Sequence, residues 1–372
     1  MSYLGPKVYI DLHQLKKNYQ IVKSEVGEIP IMATVKANAY GHGAVEASKA
    51  LEEEGVRYLA VFTIDEGIEL RDAGIKTDIF IYAKFDPSRI DEALKYNLTL
   101  NISSFDDLKA LKAYVGNTIK VHLKIDTGMG RLGIWHSHAP TLIDRIGKMP
   151  GLQLEGVYTH FSSADSDPNF TQTQRARFLA TLDAVVALPD GLLIHADNSA
   201  GIDSLSADSP FNAVRIGLLQ FGVRPYPESA LGRVSVEPVF SFHARISLVK
   251  DLPSGTDISY SRTHQLTRDS RIAVLTAGYG DGVPLELSNC GCVLIHGQAC
   301  PILGRVTMDQ TIVDVTECAE AQIGDCVVLI GKSQDEEITA ADFSQQAHTI
   351  PWETLCSVTK RVTRVYVGSR EH

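Results

Sequence analysis

Through the first part of the chain, short unbroken apolar runs alternate with stretches whose apolar residues recur every three or four positions. The runs are IMATVK (31–36), YLAVFT (58–63), DIFIYA (78–83), LTLNIS (98–103), KVHLKID (120–126), LEGVYTHF (154–161), LLIHADN (192–198) and AVRIG (213–217). Between them lie AVEASKALEEE, IDEGIELRDAG, DPSRIDEALKY, SFDDLKALKAY and TQTQRARFLATLDAVVAL, which carry a helical period. A further helix is predicted from Asp11 to Val26, with Asp11 as its cap and Gln14 placed as the partner in a capping box. Strands that are apolar on both faces and separated by helices form a parallel sheet covered on both sides. Eight such units in roughly 200 residues predict an α/β fold, a (β/α)8 TIM-type barrel, over residues 12–234. An open doubly wound sheet is the structural rival.

Past residue 235 the pattern changes. VFSFHARISLV, RIAVLTAGYG, CVLIHG, TIVDV and CVVLIG are separated by Gly, Pro and Asp turns, with one clear helix near ITAADFSQQAHT. This predicts a second, mostly β C-terminal domain over 235–372, which the N-terminal strand within 1–11 is in a position to join. No linker of low complexity and no solenoid repeat interrupts the chain.

Composition narrows the function classes. Among 372 residues, 44 % are hydrophobic and 22 % charged, a globular balance, and the net charge of −10 favours neither nucleic acid nor an anionic membrane. The opening MSYLGPKVYIDL lacks a basic segment followed by an apolar one, and no run approaches the roughly 20 apolar residues that span a bilayer, so a cytoplasmic protein is expected. Six cysteines fall late in the chain; Cys290 and Cys292 are spaced C-x-C without a matching second pair, which reads as reduced thiols and no metal site.

Barrel enzymes place their chemistry at the C-terminal ends of the strands. Five of the eight strand ends here carry unusual polar residues: Lys36; Lys124 with Asp126; His160; Asn198 with Ser199; and Arg215. In PIMATVKANAYGHG an apolar run ends in Lys36 and is followed by small residues. An apolar setting lowers a lysine pKa and frees a nucleophilic amine; the plainer alternative is a lysine that caps the strand in solvent. Ser199 in NSAGIDSL and the backbone of Gly217 in RIGLLQFG are candidate phosphate donors in the two loops barrels often use for that purpose. A phosphate site beside a reactive lysine points to pyridoxal phosphate. GMGRLG (128–133) matches a dinucleotide pattern, but the helical period begins only near His138, too late for that role.

VKANAYGHG, KIDTGMGRLG, THFSSAD, NSAG, RIG, ISYSRT and GRVTMDQ occur in the order and spacing found in alanine racemases, and the resemblance covers nearly the whole chain. It implies a pyridoxal 5'-phosphate enzyme interconverting L- and D-alanine, built as a homodimer whose active sites are shared between subunits. By motif, Lys36 resembles the lysine that binds the cofactor covalently and Tyr40 one of its phosphate ligands, with Ser199 and Gly217. Arg215 resembles the arginine facing the pyridine nitrogen, and His160 the histidine that links it to the catalytic tyrosine. Tyr260 resembles that tyrosine, the second base, delivered from the partner subunit; Lys36 and Tyr260 would then act on opposite faces of the α-carbon. Arg131 and Met308 resemble the substrate carboxylate site, Met308 again from the partner. Lys124 matches a lysine often carbamylated in the family, where it orients Arg131. The family usually has a tyrosine where Trp352 stands in TIPWETL, which leaves pocket size open between alanine and serine. In GYGDGVPLEL an aromatic often follows the family's glycine; the sequence assigns no function to this difference. The resemblance leaves open serine or broader racemases, related barrel decarboxylases (disfavoured by Arg215, since those pair the nitrogen with a carboxylate) and a cofactor carrier, for which Tyr260 and Met308 would be superfluous.

Overall fold

A computed structural model describes residues 5–114, 116–164, 166–196, 210–224 and 234–368. The strands are β1 (Lys7–Asp11), β2 (Ile31–Thr34), β3 (Tyr58–Val61), β4 (Asp78–Lys84), β5 (Leu98–Ile102), β6 (Ile119–Asp126), the two-residue β7 (Ile134–Trp135), β8 (Leu152–Tyr158), β9 (Leu193–His195) and β10 (Val214–Ile216). Strands β2, β3, β4, β5, β6, β8 and β9 pair in parallel in that order, and β10 returns to lie on β2, with Val214 opposite Ile31. With the contacts between β9 and the residues leading into β10, that return makes a nearly closed barrel and not an open sheet. The seam between β9 and β10 is bridged by Asn212. Its backbone amide donates to Ile194 O at 3.0 Å, while its side chain accepts from Ile194 N at 2.7 Å and donates to Leu192 O at 2.8 Å. A carboxamide carries the same donor and acceptor as a peptide, so it can stand in for a missing rung.

Inside the barrel, Met32, Ala60, Phe80 and Tyr158 form a separate buried layer with Tyr58 and Tyr82 against it. The other faces of the strands pack on the helices, which explains why the runs are apolar throughout. Asp11 caps the helix Leu12–Val26 by accepting from Gln14 N. The capping box expected there is only half made: the Gln14 amide turns forward and donates to Asn18 at 2.9 Å. A complete box is formed instead by Thr63 and Glu66 at the start of the helix Ile64–Asp72.

The second domain comprises β11 (Phe240–Leu252), β12 (Asp257–Ile258), β13 (His264–Gln265), β14 (Ser270–Leu275), β15 (Cys292–Ile295), β16 (Gln298–Pro301), β17 (Thr311–Asp314), β18 (Cys326–Ser333), β19 (Glu336–Ile338) and β20 (Thr363–Val367). In β11 buried and half-buried residues alternate, the mark of a sheet with one packed face. β11 pairs antiparallel with β1, β14 and β18, and β1 also lies parallel to β20, so the N-terminal strand sits within the second domain's sheet. Beside the expected helix, Ala340–Gln346, there is a second, Pro351–Ser357. It is too short to show a period in sequence, yet it carries Trp352 and Cys356 to the barrel mouth. One apolar cluster runs through both domains, from Val8 and Ile10 to Leu355 and Val362.

Candidate active site

A cavity of about 540 Å3 opens at the C-terminal ends of the barrel strands. Lys36, Tyr40, Lys124, Arg131, His160, Arg215, Gly217 and Trp352 all line it. Lys36 follows β2 and enters a left-handed turn, in which Ala37, Asn38, Ala39 and Tyr40 have φ of 51°, 54°, 52° and 52°. Each such residue costs roughly 1 kcal/mol when it bears a Cβ, so the turn must be held from outside. Its amides and carbonyls are well occupied: Glu66 accepts from Ala37 N at 2.7 Å, and the Asn38 side chain accepts from Ala44 N at 2.9 Å. His42 Nδ1 lies 2.8 Å from Ala39 O, which makes that nitrogen the donor, and Arg364 Nε donates to Gly41 O at 2.9 Å. Gly41 itself runs against the second domain, and a Cβ there would lie 2.2 Å from Leu355 O.

The turn sets the Lys36 amine between the rings of Phe62 and Tyr82, 6.0 and 5.9 Å from their centroids. Burial, then the nearby Arg131, pushes its pKa below the usual lysine value, while Glu66 and Cys356 oppose the shift. Burial drives the Tyr40 phenol upward, so it stays protonated and can donate.

Lys124, in β6, lies over the Tyr158 ring. Burial, followed by Arg131 and Arg215, lowers its pKa to about 7, with Asp126 opposing. Asp126 turns away from the cavity to accept from Gly128 N at 2.9 Å and Gly130 N at 3.2 Å. This is what the glycines of GMGRLG are for. Gly133 has a φ of 124°, and a Cβ there would lie 2.9 Å from Asp126 N and 3.0 Å from Lys124 Cγ. They build a tight turn that aims Arg131, and Glu155, which a dinucleotide site would use for ribose, pairs with Lys120 instead.

Arg215, in β10, is buried in a sleeve of acceptors. Nη1 lies 2.8 Å from His195 Nδ1 and donates to His195 O at 3.0 Å; Nη2 donates to Thr159 O at 2.8 Å and Ala196 O at 3.1 Å and faces His160 Nδ1 at 3.2 Å. Guanidinium has no acceptor, so both imidazole nitrogens must be unprotonated. His195 then carries its proton on Nε2 and donates it to His122 Nδ1 at 3.0 Å. Burial and the charge of Arg215 keep His160 and His195 well below the ordinary imidazole range and His122 at about 3. The Tyr158 ring, stacked on His195 at 4.9 Å, lies under the guanidinium.

The remaining residues of interest are elsewhere. Asn198 and Ser199 fall outside the described residues. Tyr260 and Met308 do not line the cavity; they are 72 % and 53 % exposed on loops of the second domain. Both loops are nevertheless stiffly built. Ser259 and Ser261 beside Tyr260 have φ of 61° and 62°, and Ser259 Oγ donates to Arg305 O at 2.6 Å. Met308 O accepts from Gly280 N at 2.8 Å, and Arg361 grips Asp281 through two bonds and Asp309 through a third. A Cβ at Gly278 would lie 2.2 Å from Thr307 O, so the GYGDG segment serves as a bed for the Met308 loop. Sequence reading missed Phe62, Glu66, Tyr82, His122, His195 and Cys356. The two histidines were visible as polar breaks in apolar strands; Phe62 and Tyr82 were hidden among the apolar residues of their runs, and Glu66 and Cys356 lie in helices.

Fold and site together define a two-domain barrel enzyme centred on a desolvated lysine amine. Residues 10–225 match the family of the alanine racemase N-terminal domain, and residues 239–366 that of the alanine racemase C-terminal domain. The chain belongs to the alanine racemase family. It is 38 % identical to the alanine racemase of Halothermothrix orenii over 363 residues, covering 96 % of this chain and 95 % of the relative. The alanine racemase of Bacillus anthracis with bound L-Ala-P superposes with a TM-score of 0.92 at 32 % identity, covering 100 % of this chain and 97 % of that one. The alanine racemase of Bartonella henselae with covalently bound pyridoxal phosphate gives 0.88 at 27 % identity, covering 98 % and 99 %. Among the described residues, no helix is long and apolar enough to cross a membrane, and no group of three or more His, Cys, Asp or Glu is placed to hold a metal ion.

Proposed function

We propose that this chain interconverts L- and D-alanine, using pyridoxal 5'-phosphate held at Lys36, as a homodimer in which each cavity is completed by Tyr260 and Met308 of the partner subunit. The observation that carries the reading is one cavity gathering Lys36, Lys124, Arg131 and Arg215, with no carboxylate among its described lining residues. In a chain of net charge −10, such a pocket is built for anions. Its size lies in the range of small-ligand sites, roughly 300–1,000 Å3. The described donor set fits the cofactor: the Tyr40 hydroxyl and the Gly217 amide for the phosphate, Arg215 for the pyridine nitrogen, and the Lys36 amine for the carbonyl carbon; Ser199 is assigned to the phosphate by its motif alone. Trp352 is assigned to the cofactor's side of the rim.

When bound, pyridoxal phosphate supplies the electron sink for charge left on the substrate α-carbon. Arg131 and Met308 of the partner subunit fix the substrate carboxylate. Lys36 takes the α-proton from one face or returns it there, and burial, which pushes its pKa below the usual lysine value, favours the free amine that this requires. Tyr260 of the partner subunit serves the other face. Arg215 stays protonated and would hold the pyridine nitrogen as a donor without giving up its proton, a pairing that suits proton transfer over decarboxylation. Lys124, with a pKa of about 7, offers a neutral amine that can add to carbon dioxide, releasing a proton and leaving a carbamate anion to orient Arg131. The bulk of Trp352 favours alanine over serine. Six free thiols suit the reducing cytoplasm.

The test is incubation of purified protein with single-enantiomer amino acids in deuterium oxide, reading chirality and α-deuterium together. Alanine should racemise with deuterium gain from either enantiomer. No exchange with alanine, or no lysine-bound chromophore that borohydride fixes at Lys36, would overturn the proposal.

A further inference from the structure

The feature that the reaction leaves unexplained is the second use of the Glu66 carboxylate. One oxygen, Oε2, accepts from Phe62 N at 2.7 Å and Thr63 N at 3.0 Å, while Glu66 N donates to Thr63 Oγ1 at 3.2 Å; this is the capping box of the helix Ile64–Asp72. The other oxygen, Oε1, reaches across to another element and accepts from Ala37 N at 2.7 Å. A helix cap needs no such bond. Ala37 is the residue directly after Lys36 and the first of four consecutive left-handed residues.

We infer that Glu66 is a positioning residue for Lys36: its two oxygens tie the start of the helix Ile64–Asp72 to the left-handed turn, and so fix where the Lys36 amine points. The same carboxylate also anchors the segment that presents Phe62, whose ring faces the amine. One side chain therefore holds both the lysine and a wall of its cage. Its negative charge further offsets the effect of Arg131 on the Lys36 amine. Among the described residues, other bonds in the turn fasten it to its own neighbours or to the second domain, and Glu66 links it to the β3–helix junction. A left-handed turn of residues with a Cβ relaxes when a restraint is removed, and a catalytic amine displaced by an ångström loses rate while the substrate still binds.

This inference rests on the racemase reading for its kinetic arm but not for its structural one. Glutamine at position 66 keeps the shape and offers a single acceptor oxygen, so it cannot serve both sets of amides. Glu66→Gln should lower kcat roughly ten- to hundred-fold, with KM for alanine changed by less than about threefold. Deuterium uptake across residues 36–41 of the holoenzyme, read by mass spectrometry, should quicken by about tenfold or more. Thr63→Ala breaks the same capping box without touching Ala37. It should lower the melting temperature while leaving kcat and uptake across 36–41 at their wild-type values. Wild-type kcat in Glu66→Gln, or equal uptake across 36–41 in the two variants, would overturn the assignment and reduce Glu66 to a helix cap. If Glu66→Gln does not accumulate, Ala37→Gly is added, because glycine adopts a φ of 51° without strain. The double variant should fold and keep the depressed kcat; wild-type kcat there overturns the idea equally. If the wild-type protein does not racemise alanine, the racemase reading fails, and the uptake contrast decides the role of Glu66 alone.

Discussion

The barrel mouth and the loops around Tyr260 and Met308 carry residues of equal importance to the proposed reaction, yet they are built on opposite plans. At the mouth, Tyr40, Lys124 and Arg215 are buried and Lys36 and His160 half-buried, with partners within one chain: Arg215 is surrounded by His160, His195 and backbone carbonyls, and Lys36 is caged by Phe62 and Tyr82. Burial supplies the chemistry there, since it is desolvation that lowers Lys36 and Lys124. Tyr260 and Met308 are exposed, but the backbone beneath them is held, by Ser259 in one loop and by Arg361 in the other. A rigid loop that presents a tyrosine and a methionine to solvent makes sense as a half-site prepared for another surface. The difference teaches that preorganisation and burial are separable: at the mouth they coincide, and around Tyr260 and Met308 the first stands without the second.

The sharpest way to break this comparison is subunit mixing. Lys36→Ala and Tyr260→Phe should each lose at least about a thousandfold in kcat, as expected for removal of an essential base. Refolded together, the two should regain about a quarter of wild-type activity, because half of the dimers are hybrids with one intact site of two. No recovery would mean that both residues serve one chain's own site. A second test addresses burial as the source of chemistry. Lys124 binds a proton less readily when folded, so the unfolded chain holds more protons between about pH 7 and the normal lysine range, and stability must rise with pH across that window. Denaturant unfolding of the cofactor-free protein should show that slope, and Lys124→Met should flatten it. The buried neutral histidines give the same sign on the acid side, where stability falls as unfolded imidazoles charge below about pH 6.5.

A smaller effect probes the stiffness of the exposed half. Arg361→Leu removes the two bonds to Asp281 and the one to Asp309; if the loop binds substrate as proposed, KM for alanine should rise several-fold with kcat changed less. Unchanged steady-state constants would show that the Met308 loop needs no anchor. The smallest expected effect is at Trp352. Trp352→Tyr should raise the rate on serine relative to alanine, and a constant ratio in parallel assays would show that the rim does not set specificity.

Much of this was legible in the chain because it depends on local rules. Eight apolar runs at regular spacing specify strands that must be covered on both faces, and polar residues at the ends of such runs mark the rim of a barrel. Lys36, Lys124, His160 and Arg215 could therefore be read in order along the sequence, and the motifs of both domains identified the family. Other features depend on distance in space. The capping box at Asp11 looked complete, yet Asn18 competes for the Gln14 amide. The helix bearing Trp352 is only seven residues long and exists because it packs across the domain boundary, beside Gly41. The sequence by itself determined which residue types are available and on which element each lies. Only the tertiary structure decided that Arg215 fixes the tautomers of two histidines, that Glu66 reaches across to Ala37, and that Tyr260 stands apart from the described lining of the Lys36 cavity. Hydrogen-bond partners and desolvation are properties of the packed molecule, and residues far apart in sequence acquire them only when folding brings them together.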